Sequence, residues 1–224
     1  MISIIIPVLN EERLIGTCVD AIRKSGEVCE IIIADGGSSD RTAEIADCLQ
    51  GVRVIKTRKG RGHQMNAGAA IAAGDILLFL HADTTLEDGW CRALTGILKD
   101  EAAAGGAFSL AIGDRGKKYR AIELWVKLRC LLFKLPYGDQ GIFLKRDLFN
   151  RLGGYKDIPL MEDVDLIERM KKFGKIYILE NRALTSGRRW IKKGLLRTAA
   201  LNQLIMVLYR LGVSPHTLAK LYYR

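Results

Sequence analysis

The chain has 224 residues, 49% of them hydrophobic and 27% charged, and carries a formal net charge of +10. This composition suits a globular chain with a sizeable core and excludes a disordered one. The basic excess predicts an anionic partner, phosphorylated small molecules or acidic lipid; no nucleic-acid partner is expected, because no nucleic-acid module appears and only 7% of residues are aromatic.

Ile2 to Leu9 is a β-branched run with Pro7 near its end, which predicts a strand. Asn10 is placed to cap a helix from Glu11 to Lys24. Val28 to Asp35 reads as a second strand, followed by the turn Gly36-Gly37-Ser38-Ser39 and a helix to Gln50 capped by Ser39 or Asp40. Val52 to Thr57 reads as a third strand. A loop rich in glycine and arginine follows, then a helix from Gln64 to Ala73 that Gly74 ends. Asp75 to His81 is a fourth, strongly apolar strand, and Thr85 and Asp88 have capping-box spacing for a helix to Lys99. Beyond it, Ala104 to Ile112 reads as a strand and Lys117 to Phe133 as a basic amphipathic helix. A turn at Tyr137 to Gly141 leads into a short strand through Leu144, then helices at Asp147–Leu152 and Met161–Phe173. A strand at Lys175–Ala183 and a helix at Trp190–Leu211 complete the pattern.

Strands apolar on both faces and separated by helices predict an α/β fold, a mostly parallel central sheet flanked by helices. Ligands of such sheets bind at the carboxyl ends of the strands. Asp35 ends the second strand and Asp83 directly follows the fourth, so both carboxylates share that edge. The five cysteines lack C-x-x-C spacing, so neither a zinc site nor a disulfide framework is expected, and reduced thiols in a cytoplasmic setting follow. The chain runs directly into a strand pattern and holds no run of 18 apolar residues, so neither a signal peptide nor a spanning helix is expected.

Asp83, in His81-Ala82-Asp83, is placed to hold a hard divalent cation, Mn²⁺ or Mg²⁺, that would bridge a diphosphate. A helix cap or loop carboxylate is the alternative. Asp35 is placed to accept hydrogen bonds from a base or ribose, or simply to hold the turn before Gly36. Glu162 and Asp163 open a helix, where the dipole lowers a carboxyl pKa and suits a group that must be ionised to accept a proton. An ordinary first-turn acid looks the same. The cationic, glycine-bearing loop from Arg58 to Gln64 suits close approach of phosphate.

Taken in order, Ile4 to Glu11, Ile32 to Asp40, Gly62 to Gly68, Gly74 to Asp83 and Glu162-Asp163 form a pattern that resembles the family-two inverting glycosyltransferases of the GT-A fold. The chain looks like a small bacterial member with His-Ala-Asp where others have Asp-x-Asp. The resemblance covers residues 1–185 as one domain and leaves 186–224 as a basic amphipathic helical tail. It implies a nucleotide-sugar donor held by Pro7, Asn10, Glu11, Asp35, Arg61, Asn66 and His81. It further implies a metal on Asp83, Asp163 as general base with Glu162 beside it, and Asp139 and Gln140 on the acceptor side. With His at position 81 one metal-binding carboxylate is missing, and His81 is left to contact the phosphates or the metal. Ser186 to Trp190 only faintly resembles the Gln-x-x-Arg-Trp signature of processive synthases, so no polymerase is inferred.

Two other enzyme classes fit less well. A nicotinamide-binding oxidoreductase needs glycine after the first strand, and none stands there. A sugar nucleotidyltransferase needs a Gly-rich basic loop at the same point. The remaining alternative is a non-catalytic protein on the same fold that binds nucleotide or a lipid surface. The acceptor is unidentified, a lipid-linked one being an option. The last helix, with Leu201, Leu204, Ile205, Val207 and Leu208 beside Arg188, Arg189, Lys192 and Lys193, suggests an anionic membrane surface at the inner face, a homo-oligomer contact, or packing on its own domain.

Overall fold

The structure is a computed structural model that describes residues 1–113, 116–186 and 195–223. At its centre β1 (Ile2–Val8) lies parallel between β2 (Cys29–Asp35) and β4 (Ile76–Phe79), with β3 (Val52–Lys56) outside β2. Alternation sends Ile5, Ile32, Leu77 and Phe79 to one face and Ile4, Ile6, Ile33 and Leu78 to the other, and all are buried. Both faces therefore need helices. α1 (Ile15–Lys24), α2 (Thr42–Asp47) and α4 (Trp90–Ile97) cover the second face, and α3 (Arg61–Ile71) covers the first.

The rest of the sheet is mixed. β7 (Ile142–Lys145) runs antiparallel to β4, and β6 (Ala103–Ile112) antiparallel to β7. β8 (Lys175–Thr185) is parallel to β6, and β5 (Thr84–Leu86) antiparallel to β8. The strand order is β3-β2-β1-β4-β7-β6-β8-β5. The expectation of a mostly parallel sheet thus describes its first half. Thr85 and Asp88 do not cap a helix: Thr84 to Leu86 pair with Ala183 to Thr185, and α4 starts only after Gly89 in the left-handed region, φ 76. Long-range pairing overrides the local capping pattern here. Asn10 likewise does not cap α1. It sits at φ 57, and α1 begins at Ile15.

α5 (Lys117–Phe133) packs Tyr119, Ile122, Val126 and Cys130 on Leu110 and Ile112 of β6. α6 (Arg146–Arg151) and α7 (Glu162–Met170) lie between β7 and β8 in the chain. α8 (Leu195–Arg210) and α9 (Pro215–Tyr222) end it, the latter capped by Ser214 with Pro215 in its first turn. Ile205, Met206, Leu218 and Tyr222 are buried in the core that holds Ile5 and Phe79, so these helices pack on the domain. Leu201 and Leu208, read as lipid-facing, are partly buried against that core, while Leu204 and Val207 face outward. Residues 187–194, with Trp190 and its flanking cations, lie outside the described residues. Among the described residues no helix is long and apolar enough to cross a membrane. All five cysteines are free thiols.

α3 approaches β1 closely because Gly68 has no side chain. A Cβ there would stand 2.5 Å from Ile5 Cγ2, well inside van der Waals contact. Gly68→Ala is expected to force α3 and β1 apart and cost about 1–3 kcal/mol, read as a lowered urea midpoint at unchanged slope.

Candidate active site

A cleft of about 1010 Å³ opens at the carboxyl ends of β1 and β4. This is the point where the chain order reverses, since β1 leads outward to β2 and β3 and the chain then returns to β4 on β1's other side. The last ladder bond between the two strands runs from Leu80 N–H to Ile5 O. Residues of Ile5's parity turn their amide groups toward β4, so Pro7, without an N–H, faces the gap where β4 has ended. On the other side Val8 O accepts from Gly36 N–H at 3.0 Å. The buried Gln64 of α3 donates its amide to both Val8 O, 2.7 Å, and Ala34 O, 2.8 Å, and so ties down the ends of β1 and β2.

Several residues expected at the site line this cleft. Pro7 and Glu11 come from the end of β1 and the loop after it, and Arg61 from the first turn of α3. His81 and Asp83 follow β4, Asp139 sits in a short 3-10 turn at Gly138–Gln140, and Glu162 and Asp163 open α7. Asp163 is held at both oxygens. Its Oδ2 accepts from Gly138 N–H at 2.7 Å and its Oδ1 from Val164 N–H at 2.8 Å. A Cβ at Gly138 would meet His81 Nε2 at 3.2 Å and Asp163 Oδ2 at 3.5 Å, so this glycine is where the imidazole and the carboxylate converge.

Glu162 is different. Its side chain is 4% exposed and accepts from Arg61 Nη1 at 3.0 Å. Burial raises its pKa above the ordinary glutamate value, against the pull of Arg61, and the neighbouring Asp163 adds to the rise. The lowering expected from the helix start is thus reversed for Glu162, because removal from water outweighs the dipole. Burial opposes the charge of Arg61, but Glu162 and Asp163 outweigh it and raise that guanidinium above its usual range. Behind the His81–Asp83 loop, burial pushes the Cys18 thiol up to about 12, with the charge of Asp83 adding to the effect. It stays a thiol, turned toward the carbonyls of His81 and Thr84.

Four expected residues lie elsewhere, because their polar groups are taken by the backbone. Asp35 does not line the cleft. Its Oδ1 accepts from Ser38 N–H at 3.1 Å and Ser38 Oγ–H at 2.5 Å, and its Oδ2 from Gly37 N–H at 3.3 Å, so it holds the turn after β2. Asn10 latches the first loop to the second: its Oδ1 accepts from Ser39 N–H at 2.8 Å and its own N–H donates to Ser38 Oγ at 2.9 Å. Asn66 clamps Tyr155, accepting from its N–H and donating to its carbonyl, both at 2.8 Å. Gln140 is buried and braces the turn, donating to Phe108 O at 2.9 Å and accepting from Arg129 Nη2 at 3.1 Å.

Other lining residues carried no cleft signal in the sequence, where Ile205 counted only toward the apolar surface of the last helix. Asn202 and Ile205 of α8, with Tyr222 and Tyr223 at the end of α9, form the wall beside Leu160 and Met161. Nothing in a motif scan points to residues so far along the chain. Gln64 stood within the loop pattern, but its role depends on two carbonyls that only the fold brings to it.

Among the described residues no group of three or more histidine, cysteine, aspartate or glutamate side chains could hold a metal ion. The described residues therefore offer no complete cage. A single carboxylate at Asp83 still fits a magnesium-type ion, which keeps waters and takes most of its other ligands from substrate phosphates.

Comparison with known proteins is consistent with this geometry. S. aureus TarS 1-349 superposes with a TM-score of 0.66 over 82% of this chain and 60% of its own, at 16% identity, a likeness of fold. Its complex with UDP gives 0.65 over 89% and 65%, at 15% identity. The PGL/p-HBAD biosynthesis glycosyltransferase of Mycobacterium tuberculosis is 36% identical over 172 residues, covering 69% of this chain and 63% of that protein. The Bacillus subtilis probable glycosyltransferase YdaM is 25% identical over 197 residues, 77% of this chain and 47% of that protein. The chain thus spans under two thirds of the length of these relatives. Residues 3–155 match the family described as glycosyl transferase family 2, and the chain belongs to that family.

Proposed function

We propose that this chain transfers a sugar from a nucleotide-diphosphate donor to an acceptor hydroxyl, with inversion, and that Asp163 is the general base. The observation that carries the reading is the fixed carboxylate of Asp163 at the cleft, oriented by Gly138 N–H on one oxygen and its own helix on the other. An acceptor hydroxyl is a weak nucleophile and must lose its proton as it attacks the anomeric carbon from the side opposite the leaving nucleotide. The two N–H donors fix the direction of the carboxylate. Glu162 suits this task poorly, because its side chain is buried against Arg61.

The donor side of the reading rests on the β1–β4 crevice, with Pro7 and Glu11 on one bank and His81 and Asp83 on the other. TarS, which shares the fold, has been crystallised with UDP and with UDP-GlcNAc, and this supports a nucleotide-sugar donor here. A divalent cation bound by Asp83 and the diphosphate would neutralise charge on the leaving group. His81 and Arg61 both line the cleft, and His81 would donate to a phosphate oxygen. The acceptor takes the opposite wall, beside Ile205, Tyr222 and Tyr223.

Asp163→Asn keeps shape but cannot take the proton. Turnover is expected to fall by about 10²–10⁴ with donor affinity unchanged, and proton NMR of the wild-type product is expected to show the inverted anomer. Glu162→Gln instead strips Arg61 of its partner. Because Arg61 is 41% exposed, the loss of stability should stay below the roughly 3–5 kcal/mol of a fully buried pair, and turnover should survive in the folded fraction. An inactive Glu162→Gln beside an active Asp163→Asn would reverse the assignment.

Asp83→Ala tests the cation without relying on activity. Wild-type protein should show a larger thermal shift with UDP-sugars when Mn²⁺ is added, since a ligand that binds only the folded state stabilises it. The variant should give the same shift with and without Mn²⁺. Retention of the Mn²⁺ increment would place the ion elsewhere.

A further inference from the structure

α5 carries large apolar side chains on two faces, and the outer one has no partner among the described residues. The inward residues Tyr119, Ile122, Val126 and Cys130 are buried on β6. The outward residues Leu124, Trp125, Leu128, Leu131 and Leu132 recur at helical spacing and are 58%, 52%, 44%, 52% and 73% exposed. So many large apolar side chains together on one helix face are unusual for a surface that meets only water. The patch continues onto α8. Arg210 lies over the ring of Phe133, 5.5 Å from its centroid, and joins the end of α5 to the exposed Leu204, Val207 and Leu211.

The charge around this face has one sign. Residues 117–134 hold six basic side chains against the single acid Glu123. Glu123 is turned away, accepting from Ile112 N–H at 2.7 Å and from Arg120. Lys127, Lys134 and Arg210 are exposed at the rim. An apolar stripe edged with cations matches an anionic lipid interface, where the leucines and Trp125 enter the acyl boundary and the long basic side chains reach the headgroups. A second copy of the chain matches it less well, since a two-fold contact through this face would set its cations against their own copies.

We propose that α5, continued by the outer edge of α8, docks the protein on an anionic bilayer. The proposal is independent of the transferase chemistry. It moves the lipid-facing surface from the last helix, whose inner face is spent on the core, to a helix midway along the chain. It also brings the bilayer near the cleft, because Arg129 on α5 lies over the ring of the cleft residue Tyr137, 3.5 Å from its centroid.

The test is co-sedimentation of the full chain with vesicles of phosphatidylcholine alone or mixed with phosphatidylglycerol. Wild type should pellet with the mixed vesicles at low salt and stay in solution with the neutral ones. Leu128→Glu with Leu132→Glu changes two exposed positions, so it should melt like wild type while its bound fraction falls by about tenfold or more. Lys127→Glu with Lys134→Glu should lose binding to the anionic vesicles without touching the apolar stripe. The proposal is overturned if wild type stays in solution with the anionic vesicles, or if both variants bind as wild type does. A dimer in sedimentation equilibrium that the glutamate pair dissolves, with no vesicle binding, would overturn it in favour of a second copy.

Discussion

The missing N–H of Pro7 is the constraint on which the site depends. A parallel strand pair zips as far as both strands offer amides to each other. β1 and β4 stop at the bond from Leu80 to Ile5, and two residues later β1 has nothing to donate on that side. The strands part there at a lower cost, because Pro7 leaves the ladder one N–H bond fewer to lose. β1 and β2 behave in the opposite way and remain paired to Asp35, with Gly36 and Gln64 closing the carbonyls of Val8 and Ala34. One crevice therefore opens on the β4 side, and every lining element is placed relative to it. Gly36 belongs to the same arrangement, since a Cβ on it would come within 2.9 Å of the Gln64 side chain.

Charge in the cleft is divided by burial. Arg61, Glu162 and Asp163 lie together, yet Arg61 and Glu162 are committed to each other. That pair ties the start of α3 to the start of α7, elements 101 residues apart. The same contact leaves Asp163 at the cleft, with backbone donors in place of a charged partner. Position in sequence made the two acids look interchangeable. Their different depth, set by where α7 begins, separates them.

The sheet was legible because its signal is hydrophobic alternation, which depends on residue type alone. Both faces of β1, β2 and β4 are apolar, and such a strand can only sit between two layers of helix. The limits of the reading are equally physical. Asp35, Asn10, Asn66 and Gln140 are small polar side chains beside turns and strand ends, and each spends its hydrogen bonds on a nearby backbone group. A motif gives the residue type but not which oxygen is already taken. The helix expected to reach Lys99 is present as α4, but its start lies at Trp90 and not at the Thr85 cap for a related reason: three residues gained a long-range pairing with β8 that no local pattern records.

The cleft is assembled from two parts of the chain. The family match ends at residue 155, after the β1–β4 crevice, His81, Asp83 and the Gly138 turn. Glu162, Asp163 and the wall made by Asn202, Ile205, Tyr222 and Tyr223 all come later. The family match therefore covers the β1–β4 crevice and stops short of the wall built by the last two helices. These helices complete the core through Ile205, Met206 and Leu218, so removing them as a tail would uncover the core residues they share it with in the rest of the domain. The shape of this cleft wall and the stability of the domain are thus carried by the same two helices, and changes in one will be felt by the other.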